Sequence, residues 1–582
     1  MVSAVPVRPA AVGVVSVPSN VMRHAVVAAC AMGLAALSSP AFAQVALPSR
    51  EELNPAAAAP IPAAPRGDLF GNIEKTPCPF AGSELKLTLK SVTFRGAVAG
   101  ALALPAEELS AAYAGEIGVE RSVAVVCDIR DRVSALYLRR GVLASVAIPE
   151  QRISHGNLVL EVVEARIVDV TYQGDAGPGR RQVARYLDQL KGMAPFDLDV
   201  AQRYLLLASD IPGVRVQATL KPAPGGNGAV SLDIAVGHDP FDASLQIQNH
   251  GSKTIGRELA LARADFNSLI GGDRLSVIAY WTPTSEEQRV VQVTEHFKLG
   301  GSGLAADVSG SWAWTRPGDA VAPLKLEGQS FAGSARLTYP IVRHRRHNLN
   351  FSGGLDWVDQ TVDFGGGIAT LTEDHLRVFF VKIDGHWAPR ELAHRSMAMT
   401  GSFEVRRGTV GLGASQYGEI TASRFLGVPN AVVYRAEAQA GGQIIGPVFG
   451  TASLAWQHTD DPLLSYEEYS AGNLSVGRGY DPSVASGDRA ISASVELTTA
   501  PLPLFKGLAA WRPYFFYDVA ELTNIGPGAG KVSLASTGGG VRAQITRRVS
   551  LDLAWAKPLD DPFGGNDTPP SRVLISLSAS LF

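Results

Sequence analysis

From about Phe241 to Phe582 the chain is built of short segments in which apolar and polar residues strictly alternate. Leu245 and Ile247 stand among Ser244, Gln246 and Gln248, and Ile491, Ala493, Val495 and Leu497 stand among Ser492, Ser494 and Glu496. Val549, Leu551, Leu553 and Trp555 keep the same period, as do Val573, Ile575, Leu577, Ala579 and Leu581. Period two predicts strands with one apolar and one polar face. In a soluble sandwich every apolar face needs a second sheet over it, whereas a closed barrel with lipid outside and water inside satisfies both faces at once. About 340 residues divided over 16 strands leave about 21 for each strand and its connection. That suits strands of about 10 residues with short turns at one end and longer loops at the other.

Between Leu85 and His238 the pattern changes to β-α-α-β-β, twice over. In the first unit Leu87 to Phe94 alternates as a strand, and Pro105 with Glu107 and Glu108 opens a helix, acids being favourable in a first turn. A second helix carries Val126, Ile129, Val133, Leu136 and Tyr137 on one face and stops at Gly141. Strands are predicted over 143–148 and 158–163. In the second unit the corresponding elements are a strand over 167–172, helices near 181–190 and 199–208, and strands over 214–220 and 230–236. Each unit is long enough for a small α+β core.

The N-terminus reads as an export signal. With Met22 as the functional start, Arg23 and His24 form a short basic region and Ala25 to Leu37 an apolar run. Ala41-x-Ala43 supplies the small-residue cleavage site, which puts the mature N-terminus at Gln44. The run of about 13 apolar residues is too short for a membrane span. Residues 44–77 are rich in Ala and Pro and read as a linker without a core, with one helical turn near Ser49 to Glu52. A net charge of −3 gives no basic footprint for nucleic acid. Of the three cysteines, Cys30 leaves with the signal peptide. In an exported chain the remaining two, Cys78 and Cys127, predict a disulfide, the alternative being two buried thiols. Closing that loop is worth about 4 kcal/mol in the chain-entropy model.

Two such units ahead of a barrel resemble polypeptide-transport-associated (POTRA) domains. The specific resemblance is to the outer-membrane transporters of two-partner secretion, the haemolysin and filamentous-haemagglutinin secretion family. Pro77-Cys78-Pro79-Phe80, Cys127 ahead of a helix ending Tyr137-x-x-x-Gly141, and Ile148-Pro149-Glu150-Gln151 are similar to its first POTRA domain. The family's Val-x-Glu-Gly step is Glu164-Ala165 here, without the glycine. Asp210-Ile211-Pro212-Gly213 and Leu220-Lys221-Pro222 resemble the second POTRA domain. Asn249-His250-Gly251-Ser252, Gly271-Gly272-Asp273 and Tyr339-Pro340-Ile341 resemble barrel turns. The most distinctive element is Arg478-Gly479-Tyr480, with Gly487-Asp488 beyond it, which resembles the tip of the family's long sixth outer loop. Gly477 stands where the family has Val or Ile. The partner motif matches Phe516-Tyr517-Asp518-Val519-Ala520, with Ala520 where Gly is usual.

The resemblance implies that loop six folds back into the lumen and that Arg478 meets Asp518 there. A guanidinium and a carboxylate can meet bidentately, and flanking glycines allow a tight turn close to the wall. It also implies export of a large unfolded partner protein, of adhesin or haemolysin type, captured by the POTRA domains in the periplasm through strand addition. The other reading is an assembly factor that inserts barrels into the outer membrane. Outer-membrane lipid and the barrel-assembly machinery are further expected partners, and no cofactor or metal is implied. The terminal Phe582 is expected to help assembly, although it is out of step with Leu577, Ala579 and Leu581.

Other motifs lead nowhere chemical. Gly526 to Lys531 lacks the first glycine and the final Ser/Thr of a phosphate loop and reads as an outer turn. His344 to His347 reads as a basic periplasmic turn, since neighbours on a strand point to opposite faces. No Gly-x-Ser-x-Gly elbow occurs, and no enzyme is predicted. The chain therefore divides into a leader and signal peptide over 1–43, a linker over 44–77, POTRA domains over 78–164 and 165–238, and a 16-stranded outer-membrane barrel over 239–582.

Overall fold

The computed structural model describes residues 47–581 except 54–69, 74–76, 97–103, 141, 154, 192, 194–195, 225–227, 390–395, 504–509, 527–529, 563 and 566–567. The signal peptide, Gly141 and Phe582 lie outside the described residues. Sixteen antiparallel strands, from Phe241–Gln248 to Arg572–Ser580, close into a barrel. The seam is made by Ser244 to Gln248 of the first strand facing Ser580 to Ser576 of the last. Asn249 extends it by accepting from the Ile575 N–H and donating to the Val573 carbonyl.

Alternation sets the faces as expected. Ile491, Val495, Leu497, Leu553, Trp555, Val573, Ile575 and Leu577 are exposed on the outer wall, whereas Ser492 and Asp518 are buried toward the lumen. Exposed apolar side chains are costly in water and favourable in hydrocarbon, so this outer surface is built for lipid. Leu581, also exposed, continues the outer row, and its N–H bonds the Ala243 carbonyl.

Two α+β units sit at the end of the barrel where the first strand begins. In the first, Val126, Ile129, Val133 and Tyr137 of helix Val125–Arg139 pack on Leu158, Leu160 and Val162 of strand Asn157–Glu164. Ser91–Gly96 and Ala144–Ala147 are the outer strands of that sheet. The single strand expected over 87–94 is split into Lys86–Thr88 and Ser91–Gly96. The Gly156 carbonyl takes the N–H groups of Lys90 and Ser91 at the break, and any Cβ on Gly156 would lie 2.5 Å from the Thr88 carbonyl oxygen. Cys78 and Cys127 are disulfide-bonded, with Cα atoms 5.8 Å apart, and fasten the start of the unit to its long helix.

In the second unit, helices Arg180–Leu187 and Leu198–Ser209 cover strands Arg166–Gly174, Val214–Pro222 and Ala229–His238. Asp197 caps the second helix by accepting from the N–H groups of Asp199 and Val200. The glycine missing after Glu164 is not needed, because Ala165 is buried in the core of the second unit and the chain passes on without a turn. A short strand, Phe70–Ile73, adds in parallel to the edge of Val214–Pro222. This unit is bolted to the barrel rim. Arg343 grips Asp210 through Nε at 2.7 Å and Nη2 at 2.6 Å, and Arg203 Nη2 donates to the Pro340 carbonyl at 2.9 Å. Ser268 Oγ donates to the Pro212 carbonyl at 2.9 Å. The basic run at 344–347 is the turn between the sixth and seventh barrel strands, at this same end, with His344 and His347 stacked.

Candidate functional site

Loop six, residues 459–488, leaves strand Val448–His458, folds back into the barrel and returns to strand Arg489–Thr499. Its tip is a tight turn in which the Tyr480 N–H bonds the Gly477 carbonyl at 2.9 Å. Gly477 has φ +113°, which explains why a glycine replaces the β-branched residue expected before Arg478. Gly479 lies against the wall: a Cβ there would stand 2.7 Å from the Pro558 nitrogen.

Arg478 points at strand Trp511–Thr523. Its Nε donates to Asp518 Oδ2 at 3.0 Å and its Nη2 to Oδ1 at 2.8 Å, and the Arg478 backbone N–H adds a third bond to Oδ2 at 3.0 Å. The guanidinium carbon lies 3.7 Å from the centre of the Phe516 ring, on which it stacks. Asp518 also accepts from Ser494 Oγ at 2.7 Å and is 1 % exposed. Tyr480 is buried among Ala471, Ala520, Leu522 and Leu534, so the methyl of Ala520 is tolerated where Gly was expected. The Tyr480 hydroxyl shares one proton between the carbonyls of Ala535 at 2.8 Å and Asp560 at 2.9 Å. Its own carbonyl accepts from Arg572 of the last strand, which also reaches the Gly251 carbonyl in the first outer loop.

The sequence brought Arg478, Gly479, Tyr480 and Asp518 together, and so does the structure. It missed the partners around them. Arg478 Nη1 donates to Glu496 Oε2 at 2.8 Å, and Glu496 in turn receives Arg542. At the base of the loop, Glu467 accepts from Arg406 at 3.0 and 2.8 Å and from Arg435 at 3.0 Å. Asp488 receives Arg424 and the N–H groups of Leu463 and Ile525, each of these last two at 2.7 Å, which ties loops five, six and seven together. The only sign of these groups in the sequence is a charge at an inward position of an alternating strand or in a loop, and nothing in the alternation pairs them.

A second segment enters the lumen. Residues 47–53, expected as part of a coreless linker, lie inside the barrel. Ser49 and Glu52 cap one turn, Arg50–Leu53, reciprocally at 2.9 and 3.3 Å. Leu53 packs against Leu259, Tyr280, Val290 and Ala313 of the wall, and Leu47 against Val321, Leu326 and Val362. Both leucines gain by leaving water, which the Ala/Pro composition of the segment concealed.

The haemolysin secretion/activation protein family ShlB/FhaC/HecB matches residues 226–543. The chain belongs to that family. Residues 87–165 match the ShlB-type POTRA domain. Among solved structures the chain is similar to CdiB from Escherichia coli, at TM-score 0.65 and 19 % identity over 87 % of this chain and 93 % of that one. CdiB from Acinetobacter baumannii gives TM-score 0.59 and 16 % identity over 98 % and 100 %. BamA from Haemophilus ducreyi lacking POTRA domains 1–3 gives 0.52 and 12 % over 85 % and 100 %. At these identities the likeness to BamA is one of fold and does not favour the assembly-factor reading. No curated protein sequence matches the chain. As a member of a two-partner secretion family the protein is an outer-membrane transporter that exports a large partner protein. Its POTRA domains lie in the periplasm, so the barrel end that carries them is the periplasmic end and loop six belongs to the outer side.

Proposed function

We propose that the chain exports its partner through the barrel lumen, with Arg478, Gly479, Tyr480 and Asp518 acting as a latch that holds loop six in the lumen between transport events. The observation that carries this reading is the set of three hydrogen bonds from Arg478 to a single, fully buried carboxylate. A buried acid with one matched cation fixes a loop more sharply than apolar contact does, because only one geometry satisfies it. The POTRA domains, taken over 78–164 and 165–238, capture the partner as an added strand. This is supported by the chain's own Phe70–Ile73, which adds to the edge of Val214–Pro222 in that way. Among the described residues, Ser91–Gly96 and Ala144–Ala147 are the outer strands of the other POTRA sheet. Residues 47–53 act as a plug, and the barrel-assembly machinery receives the strand that ends in Phe582.

The test is export itself. Arg478→Ala should leave folded, heat-modifiable barrel at normal levels in the outer membrane while the partner in the medium falls sharply. Full export by this variant at normal transporter levels would return Arg478 and Asp518 to ordinary lumen residues.

A further inference from the structure

The latch does not end at Asp518. Arg478 Nη1 and Arg542 Nη2 donate to the same oxygen, Glu496 Oε2, at 2.8 and 3.0 Å. Two guanidinium nitrogens therefore lie within about 6 Å of each other, held by one carboxylate between them. Arg542 belongs to strand Lys531–Gln544 and Glu496 to strand Arg489–Thr499, so both are fixtures of the wall, whereas Arg478 is brought by the loop. Arg542 has a further anchor, since its Nε donates to Asp552 Oδ2 at 3.0 Å and Tyr514 Oη donates to Asp552 Oδ1 at 2.7 Å. Its guanidinium lies 4.0 Å from the Tyr514 ring centre, as that of Arg478 lies over Phe516. These two rings lie flat on a floor of glycine. A Cβ on Gly538 would come within 2.7 Å of the Phe516 ring, and one on Gly540 within 2.8 Å of the Tyr514 ring. The wall thus presents two stacked seats for guanidinium groups, one filled from the wall by Arg542 and one filled from the loop by Arg478.

We propose that Glu496 is a positioning residue for loop six: a carboxylate shared by the loop's Arg478 and the wall's Arg542, and kept in place by Arg542 when the tip withdraws. The consequence is an asymmetry. On release Asp518 loses the only arginine it pairs with among the described residues, whereas Glu496 keeps one, so the wall beside the tip stays charge-balanced for the next docking. Neutralising Glu496 reverses the sign of that environment. Arg478 then approaches Arg542 with no carboxylate between them, and the like charges repel, partly screened by lumen water. Removing the Arg542 charge from the same chain takes the repulsion away. A residue that merely supports the barrel wall predicts no such recovery.

This inference rests on the latch reading, and its test separates the two. Ala471 of loop six is fully buried in the docked state, so Ala471→Cys in the full-length, folded transporter reports tip release through its labelling by a maleimide. Loss of one hydrogen bond to a charged group corresponds to about ten-fold or more in the docked-to-released ratio. Labelling should rise by about that factor in Glu496→Gln and stay near the parent rate in Arg542→Gln. In the double variant Glu496→Gln/Arg542→Gln it should fall clearly below that of Glu496→Gln alone, while the lost carboxylate bond keeps it above the parent rate. Rates are read on the heat-modifiable fraction, so altered yield does not obscure them. A parent-like rate in Glu496→Gln, or a double variant that labels as fast as Glu496→Gln alone, overturns the proposal. Fast labelling of Arg478→Ala together with a parent-like Glu496→Gln would sink this inference and leave the latch intact. Parent-like labelling of Arg478→Ala would sink the latch itself.

Discussion

A double-mutant cycle on Arg478 and Asp518 measures the latch most directly. In Arg478→Ala two of the three bonds to Asp518 disappear, the pair from Nε and Nη2, while the backbone N–H and Ser494 Oγ remain. In Asp518→Ala the arginine keeps Glu496 and Ser494. Each bond to a charged partner contributes roughly 1.5–3 kcal/mol, and breaking a buried ion pair costs roughly 3–5 kcal/mol. The arginine side chain is 21 % exposed to lumen water, which lowers the value, whereas Asp518 has no access to water and keeps it well above the roughly 0–1 kcal/mol of a surface pair. The expected coupling is about 2–3 kcal/mol. A fully wet lumen, the natural expectation from a polar inner face, would give about 1 kcal/mol. The assay is amide hydrogen exchange on folded protein, followed in peptides that carry residues 472–482, since exchange there reports local opening of the tip. Each single variant should speed exchange, and the double variant should be little faster than either. Losses that add to within about 0.5 kcal/mol would mean that the residues are uncoupled, and the latch argument would fall.

Three further outcomes follow from the same structure. Deleting residues 47–53 removes the apolar contacts of Leu47 and Leu53 and should raise ion conductance across planar bilayers; unchanged conductance would show that the segment does not block the lumen. Peptide maps of unreduced mature protein should contain one linked Cys78–Cys127 pair, and its loss should destabilise the first POTRA domain by about 4 kcal/mol, whereas two alkylatable thiols would contradict this. Deleting Phe582 should lower the yield of heat-modifiable barrel in outer membranes, and a normal yield would deny it a part in assembly.

The barrel was legible because membrane strands carry their environment in every second residue. Ile491, Val495 and Leu497 announce lipid, and Ser492, Ser494 and Glu496 announce the lumen, before any pairing is known. The POTRA helices were legible for the same reason at the other period, with Val126, Ile129, Val133 and Tyr137 falling on one face. Arg478 and Asp518 could be joined across 40 residues only because their motifs resemble a known family. Their own chemistry says that each wants a partner and not which one. Glu467, Arg406 and Arg435 fit neither route, since they meet through the fold of a long loop. Residues 47–53 were misjudged for a different reason. Two leucines in an Ala/Pro-rich stretch carry no periodicity, and their burial depends on a cavity that the rest of the chain provides.

The anchors of loop six differ in a way that orders its release. At the base, Glu467 and Arg406 are 6 % and 5 % exposed and Asp488 is fully enclosed, each with several charged or backbone partners. Near the tip, Arg478 and its neighbour Arg542 are 21 % and 44 % exposed. Water reaches the tip first, and a hydrated guanidinium has less to lose on leaving its acid than one sealed at the base. Withdrawing Glu467 gives up bonds to two arginines at once in a dry site, although Arg406 keeps Asp356 and Glu404 and Arg435 keeps Gln457, whereas withdrawing Arg478 gives up the pair with Asp518 at a wetter one. On the latch reading proposed above, the base is the hinge and the tip the moving part. Tyr466, beside that hinge, packs against the cluster that holds Leu53, so residues 47–53 and loop six come together at the part of the loop that stays. On the proposed reading an exported chain displaces the tip and residues 47–53 in turn, with the sixteen-stranded wall left closed.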